Sequence, residues 1–416
     1  MIQVKSLKTG IKFKDTPIGK IPVDWSVIPL GKIAFLEYGA SLPEKARIEG
    51  SIPVYGSNGV VGYHNEKLVS GPGIIIGRKG TVGAVTWAEN DFWAIDTTYF
   101  ISKEQCKEIL NLRWFFYLLS NLHLEKLNAA TGVPGINRGE VHSLIMRRPP
   151  IEEQKKIAEI LTTVDDVIEE TDTVIEKTKE LKKGLMQQLL TRGIGHKKFK
   201  KTEIGEIPEE WKVVRLEELG AKEKFAIVDG PFGSSVNTSI DYISQGIPVI
   251  RTVNIRPFEF IEDNLKYISE EKFQELKRSQ VSPGDVLLSK VGTVGYACIL
   301  PSHIKKAVLS TTGSCKITVD KTRITPEYLC YYLNYLKPHM DKIAAEGVQP
   351  FLNMTDIKSF KIALPPLKEQ KNIAENLSVI NLELRNQNKN KENLETLKKS
   401  LMQVLLTGKV RVKLSQ

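Results

Sequence analysis

The chain has 416 residues, 26% charged and 41% hydrophobic, with a net charge of +10. That composition excludes a disordered or membrane-embedded polypeptide and leaves room for two or three ordinary domains. The basic excess favours a polyanionic partner, nucleic acid first. The four cysteines, Cys106, Cys298, Cys315 and Cys330, form no C-x-x-C pair, so neither a zinc knuckle nor a disulfide framework is indicated.

The first ten residues, MIQVKSLKTG, lack the apolar core of a signal peptide, and no later segment is long enough to cross a bilayer. A cytoplasmic protein is expected. Residues 16–148 carry the short β-rich run Ile74-Ile75-Ile76 among closely spaced glycines, Gly56 to Gly83, which predicts a twisted, turn-rich sheet. An aromatic helix is expected around Lys103–Lys126. After Pro149-Pro150 the pattern turns helical to about Thr191. Small or apolar residues step by three or four through Ile157, Leu161, Val164, Ile168, Thr171, Ile175, Thr178, Leu181, Leu185 and Leu189. That is the seam of a long coiled coil, a rod of roughly 60 Å at about 1.5 Å per residue. A rod with one apolar stripe needs a partner. The linker Thr191–Lys201 holds Gly193, Gly195 and a basic run from His196.

Residues 202–364 repeat the plan. Strands are expected at Ile247–Ile250 and at Val286–Leu288 after the turn Pro283-Gly284-Asp285, with an aromatic helix around Thr325–Ala345. Pro365-Pro366 then opens a second long helix whose stripe reads Ile373, Leu377, Ile380, Leu384, Gln387, Lys391, Leu394, Leu397, Leu401 and Leu405. The polar seam residues Thr171, Thr178, Gln387 and Lys391 mark either a loosely packed mid-section or a device that sets register.

Seven collinear matches establish a duplication. Lys12-Phe13-Lys14 and the Thr16–Trp25 segment recur 186 residues later, ending at Trp211; Gly80-Thr-Val-Gly83 recurs 212 later at Gly292–Gly295. Thr97-Thr98, Phe115–Leu118, Pro149–Gln154 and Leu181–Thr191 recur at offsets of 214 to 216. The second copy therefore carries its extra length between Trp211 and Gly292.

Catalytic signatures are missing from the sequence. Gly77-Arg-Lys-Gly-Thr-Val-Gly83 lacks the spacing of a phosphate-binding loop and reads as a tight turn. Asp229-Gly-Pro-Phe-Gly233 matches the Asn/Asp-Pro-Pro-aromatic motif of amino-methyltransferases only in outline, because Gly230 replaces the first Pro, and it reads as a turn. His64, His123, His142, His196, His303 and His339 form no ligand pair, and Asp165-Asp166 suits a solvated helix face. The chain is read as non-catalytic, with no metal site. For binding, the candidates are Arg78, Lys79, Asn137 and Arg138 in the first globule and Arg251, Asn254, Arg256, Lys290 and Asn353 in the second. Arg, Lys and Asn are the residues that contact phosphates and base edges. For each one, ordinary loop chemistry is the competing reading.

The motifs together resemble the specificity subunit of type I restriction–modification systems. The residues that carry the likeness are Ile21–Trp25 and Ile207–Trp211, Asp229–Ser235, Val249–Ile255, Pro283–Gly295, the Pro-Pro-x-x-x-Gln-x-x-Ile-Ala helix starts, and the Leu-Lys-x-x-Leu-Met-Gln-x-Leu-Leu-Thr helix ends. The first copy lacks a clean counterpart of Asp229–Gly233 and of Arg251–Ile255. The resemblance implies an α+β chain of two similar target recognition globules, 11–148 and 195–364. Two long antiparallel coiled-coil helices, 149–194 and 365–416, would join them with pseudo-twofold symmetry. It implies one half of a bipartite, asymmetric DNA sequence per globule, helices that set the spacer and dock methyltransferase subunits, and a motor-nuclease subunit in the same assembly. S-adenosylmethionine, ATP and Mg²⁺ would be bound by those partners. A stand-alone DNA-binding regulator and a protein-binding coiled-coil scaffold are the rival readings. Apolar residues outside the seam, Val167, Val174 and Leu190, favour partner subunits over the first, and salt-sensitive DNA binding separates the second.

Overall fold

A computed structural model describes residues 12–127, 135–231, 235–236, 239–345 and 350–414. Part of the Asp229–Ser235 motif named above, residues 232–234, lies outside the described residues. The chain divides into two compact units, Met1–Thr173 with Asn388–Gln416, and Val174–Gln387.

The first unit is built on a four-stranded antiparallel sheet in the order Glu37–Tyr38, Thr98–Ser102, Gly73–Gly77, Val85–Ala88. Its central strand is buried on both faces because side chains alternate. Ile74 and Ile76 point into the main core with Trp25, Trp114 and Phe115. Ile75 points into a smaller core with Tyr55, Phe92 and Phe100. That smaller core is closed by a second sheet, Gly59–His64, Ile52–Gly56, Trp93–Ala94, whose last pairing is parallel.

The second unit uses the same plan. Its antiparallel sheet runs Ile227–Asp229, Ser314–Ile317, Val286–Ser289, Ala297–Ile299. Val286 and Leu288 face the main core and Leu287 a smaller one. Its second sheet is larger, Lys266–Ile268, Ile247–Ile250, Ala307–Leu309, Gln280–Val281, again with one parallel pairing between Ile247–Ile250 and Ala307–Leu309. The extra strands, the hairpin Ile255–Arg256/Glu259–Phe260 and the helix Glu270–Glu275 account for the added length.

The aromatic helices are shorter than the periodicity suggests. The first spans Leu112–Ser120, started by the Asn111 side chain, which accepts the Trp114 N–H at 2.8 Å. Past its end, His123 adopts a left-handed φ of 54°. The second breaks into Pro326–Tyr335 and Lys337–Ala344. Pro338 has no N–H for the preceding turn, so the helix cannot run on regularly.

The long helices span Ile151–Arg192 and Leu367–Leu405. In the first unit the opening turns of one pack against the closing turns of the other: Ile157, Ala158 and Leu161 share a core with Leu405 and Leu406. Lys398 pairs with Asp165 at 2.5 Å and Lys391 with Asp172 at 2.6 Å. Seven residues forward on one helix is thus seven back on the other, which makes the pair antiparallel. In the second unit Met186, Leu189 and Leu190 share a core with Ile373, Ala374 and Leu377. Leu190 is core, contrary to its expected place outside the seam. Leu181 and Leu397 depart from the seam in the other direction, at 55% and 43% exposed. Ile168, Leu185, Ile380 and Leu401 are half-buried, whereas Val164 and Leu384 are buried. Thr171 and Thr178 turn their hydroxyls onto the carbonyls four residues back, both at 2.7 Å, which satisfies them without a cross-helix partner.

The repeated motifs are the joints between helix and globule. Trp25 Nε1 donates to Glu153 at 2.8 Å, and Trp211 Nε1 to Glu369 at 3.0 Å. Beside each glutamate a buried glutamine does equivalent work. Gln154 accepts the Asn111 N–H and donates to Pro149 O; Gln370 accepts the Thr325 N–H and donates to Pro365 O. The Pro-Pro-x-x-x-Gln motif therefore ties the start of a long helix to the N-terminus of an aromatic helix.

Candidate nucleic-acid interface

In each unit the Gly-Thr-Val-Gly marker is a turn with both glycines left-handed: φ is 78° and 81° at Gly80 and Gly83, and 73° and 81° at Gly292 and Gly295. Glycine takes that conformation without steric cost. The turn leans on a second loop. In the first unit Arg78 N and Lys79 N donate to Thr97 O at 2.9 and 3.1 Å, and Ile136 N donates to Arg78 O at 3.1 Å. In the second, Lys290 N and Val291 N donate to Gly313 O, and Leu352 N donates to Lys290 O at 3.0 Å. The marker turn and the loop before Asn137 or Asn353 are far apart in sequence and meet in both units.

This meeting brings Arg78, Lys79, Asn137 and Arg138 together. The Arg78 guanidinium lies 5.3 Å from the Tyr38 ring centre and 5.9 Å from that of Tyr99, and donates to Asp96 O at 2.7 Å. Arg138 lies 4.5 Å from the centre of Phe35 and 4.7 Å from that of Tyr38. Lys79 is exposed. Asn137 uses its side-chain oxygen to start the helix Arg138–Ser143, accepting the Gly139 N–H at 2.7 Å. Tyr99 donates its hydroxyl to Ile136 O, and burial pushes its pKa up to about 12. His142 accepts the Leu36 N–H on Nε2 at 3.1 Å. Burial, then Arg138 and Lys107, hold its pKa below the usual histidine range. The hairpin turn before Gly59 adjoins this loop, with Ser57 Oγ donating to Thr97 O at 2.8 Å.

The second unit differs, and two candidates drop out. Lys290 is 1% exposed, with its ammonium 3.0 Å from Asp229, which also accepts from Arg278 at 2.6 Å. A buried, paired ammonium cannot reach DNA. Asn254 is fully buried: it accepts the Arg251 N–H and donates to Ile261 O and Asp263 O, so it shapes its own loop. Arg251 spends a donor on Asn264 O. Asn353 starts the helix Met354–Ser359 as Asn137 does its own, accepting the Asp356 N–H at 2.8 Å. Arg256 stays exposed on its hairpin. A side chain at Gly313 would meet Thr252 Oγ1 at 3.3 Å, which places the Arg251–Asn254 turn beside the marker loop.

Reading the sequence missed Tyr38, Phe35, Ser57 and Phe351. Tyr38 and Phe351 are 44% and 46% exposed, and Lys290 lies 5.4 Å from the centre of the Phe351 ring. Tyr38 sits in the region without a clean repeat, so no duplicated motif flagged it. Among the described residues no group of three or more His, Cys, Asp or Glu is placed to hold a metal ion, and no helix is long and apolar enough to cross a membrane.

Comparison with known proteins decides the family. The type I restriction modification DNA specificity domain matches twice, over residues 22–180 and 208–396. The chain belongs to that family. It is a DNA specificity subunit of a type I restriction–modification system, and such a subunit is itself non-catalytic. The type I restriction enzyme MjaVIII specificity subunit of Methanocaldococcus jannaschii is 28% identical over 428 residues, covering 96% of each chain. The MjaX specificity-subunit sequence of the same organism, whose own assignment is provisional, is 36% identical over 291 residues; that match covers 68% of this chain and 63% of the relative. In fold the chain is similar to the crystal structure of the S subunit from M. genitalium, with a TM-score of 0.64, 14% identity and 99% of both chains covered. The specificity subunit thus holds two DNA specificity domains, each anchored on long helices.

Proposed function

We propose that this chain directs a type I restriction and methyltransferase complex to a bipartite, asymmetric DNA sequence. Each globule, 11–148 and 195–364, reads one half-site. The helical segments 149–194 and 365–416 set the spacer between the half-sites and dock methyltransferase subunits, and a motor-nuclease subunit completes the assembly in the cytoplasm. S-adenosylmethionine serves methylation, and ATP with Mg²⁺ serves cleavage, all on the partner subunits.

One observation carries the reading. The marker loop is held by the same backbone bonds in both units, yet Arg78 lies beside Tyr38 in one, whereas Lys290 is drawn inward onto Asp229 in the other. Equal frameworks with unequal side chains give the two globules different DNA-facing surfaces, which suits two different half-sites. A helix of 42 residues is roughly 63 Å long, ample to span one DNA turn of about 34–36 Å.

Single-molecule sequencing of methylated bases, in cells carrying the chain and its methyltransferase partner, tests the reading. A split methylated motif is expected; an active partner that leaves no such motif overturns it. Inserting residues between Thr171 and Thr178 should lengthen the spacer and leave both half-sites unchanged. Altered half-sites would remove the helices from spacer control.

A further inference from the structure

We propose that Arg78 and Arg138, held over Tyr38, form a clamp for the DNA phosphate backbone in the first globule, and that the second globule has lost its counterpart. The proposal rests on the reading that the chain binds DNA and names which chemistry one of its surfaces contributes.

The guanidinium carbons lie 5.3 and 4.7 Å from one ring centre, so they are no more than 10 Å apart. Each is also tethered to a backbone carbonyl, Arg78 to Asp96 O at 2.7 Å and Arg138 to Leu36 O at 3.4 Å. Among the described residues neither has a carboxylate within ion-pair distance. Lys107, 5.8 Å from the centre of the Phe35 ring that also carries Arg138, adds a third cation to the same aromatic row. Cations stacked on rings and left without an acid are attracted to polyanions. They have also surrendered rotamer freedom before any ligand arrives, so less is lost on binding. Their outward edges can donate to phosphate oxygens, and the protein-side contacts that pin them restrict their reach toward base edges. The clamp therefore contributes affinity and register, and leaves sequence to other side chains.

The second globule shows what neutralisation of this position looks like. Tyr38 pairs with Tyr99 across the sheet, and the strand in the same place pairs Asp229 with Cys315. Where the first globule puts an aromatic ring under its basic residue, the second puts a carboxylate. The carboxylate draws Lys290 inward to 1% exposure and holds Arg278 as well. The phosphate contacts of the two half-sites are therefore unequal.

Binding of the full chain to a fluorescein-labelled, mixed-sequence duplex of roughly 40 base pairs, followed by anisotropy across a salt series, tests this. Each phosphate contact contributes about 0.9 to the slope of log K against log salt. The R78A/R138A double variant should lower that slope by about 1–2. Tyr38→Leu keeps the charge and removes the ring; it should weaken binding several-fold, an effect a merely basic surface would not show. The D229N/K290M double variant should leave the slope unchanged. A wild-type chain with no salt-dependent binding at all defeats the parent reading. A steep wild-type slope that survives R78A/R138A defeats the clamp alone. A changed methylation motif with an unchanged slope in R78A/R138A would make these residues base readers and overturn the phosphate assignment. Circular dichroism of each variant separates these outcomes from misfolding, and Tyr38→Leu carries the test should the double variant not fold.

Discussion

The two units fasten a globule to a helix pair in the same places with different chemistry. In the first, Glu153 is clamped by Trp25 and by Arg411, which also holds Asp24 through two bonds of 2.8 and 2.7 Å. In the second, Glu369 receives Trp211, His196 at 2.8 Å and the Ile194 N–H at 3.0 Å. Further along, Tyr117 donates to Asp165, and Asp165 holds Lys398. Counting 216 residues on, Asp165 becomes Asn381, which donates to Tyr331 at 2.8 Å, and Lys398 corresponds to Lys182. Without a carboxylate, Lys182 settles 4.0 Å from the centre of the Phe258 ring. Burial, then Arg385, lowers its pKa to about 8. The apolar packing and backbone bonds survived duplication because they define the fold. Charges changed because a buried acid needs a partner, and several residues can supply one.

The largest effect should come from Arg411→Ala. It leaves Glu153, 1% exposed, without its cation, a loss of about 3–5 kcal/mol. Urea denaturation followed by tryptophan fluorescence should show the first unit unfolding early; an unchanged midpoint would make the tail incidental. His196→Ala should cost the second unit less, about 1.5–3 kcal/mol, because Trp211 and the Ile194 N–H still serve Glu369. Equal losses would erase the distinction between the two clamps.

Asn381→Asp should convert the second joint to the chemistry of the first. With its pKa near 8 against the usual 10.5, folded Lys182 binds fewer protons than the unfolded chain in between. Its contribution to stability therefore rises with pH across that window. Comparing urea midpoints at pH 8 and 9.5, the variant should gain less than wild type, since the new carboxylate raises the pKa of Lys182. Identical gains would detach Lys182 from position 381. The smallest effects should be symmetric: Asn137→Ala and Asn353→Ala each remove a helix cap, at about 1 kcal/mol. A much larger binding loss than stability loss in either would add a DNA contact to the capping role.

The duplication, the α+β character and the long helices were legible from spacing alone, because periodicity and turn residues are local properties. So was the importance of Trp25, Trp211 and the Pro-Pro-x-x-x-Gln motif, although their partnership was not. The basic marker turn was visible, yet Arg78 and Lys290 looked alike there. Their fates depend on Tyr38 and Asp229, which lie 40 and 61 residues away and meet them only across a folded sheet. Leu181 and Leu397 fit the seam by number and remain exposed, since a stripe is buried only where a partner covers it. The amino-acid order thus determined which backbone conformations and apolar faces this specificity subunit can form. Tertiary structure alone decided which cations are spent inside it and which are left for DNA, because the free energy of a charge is set by what surrounds it in space.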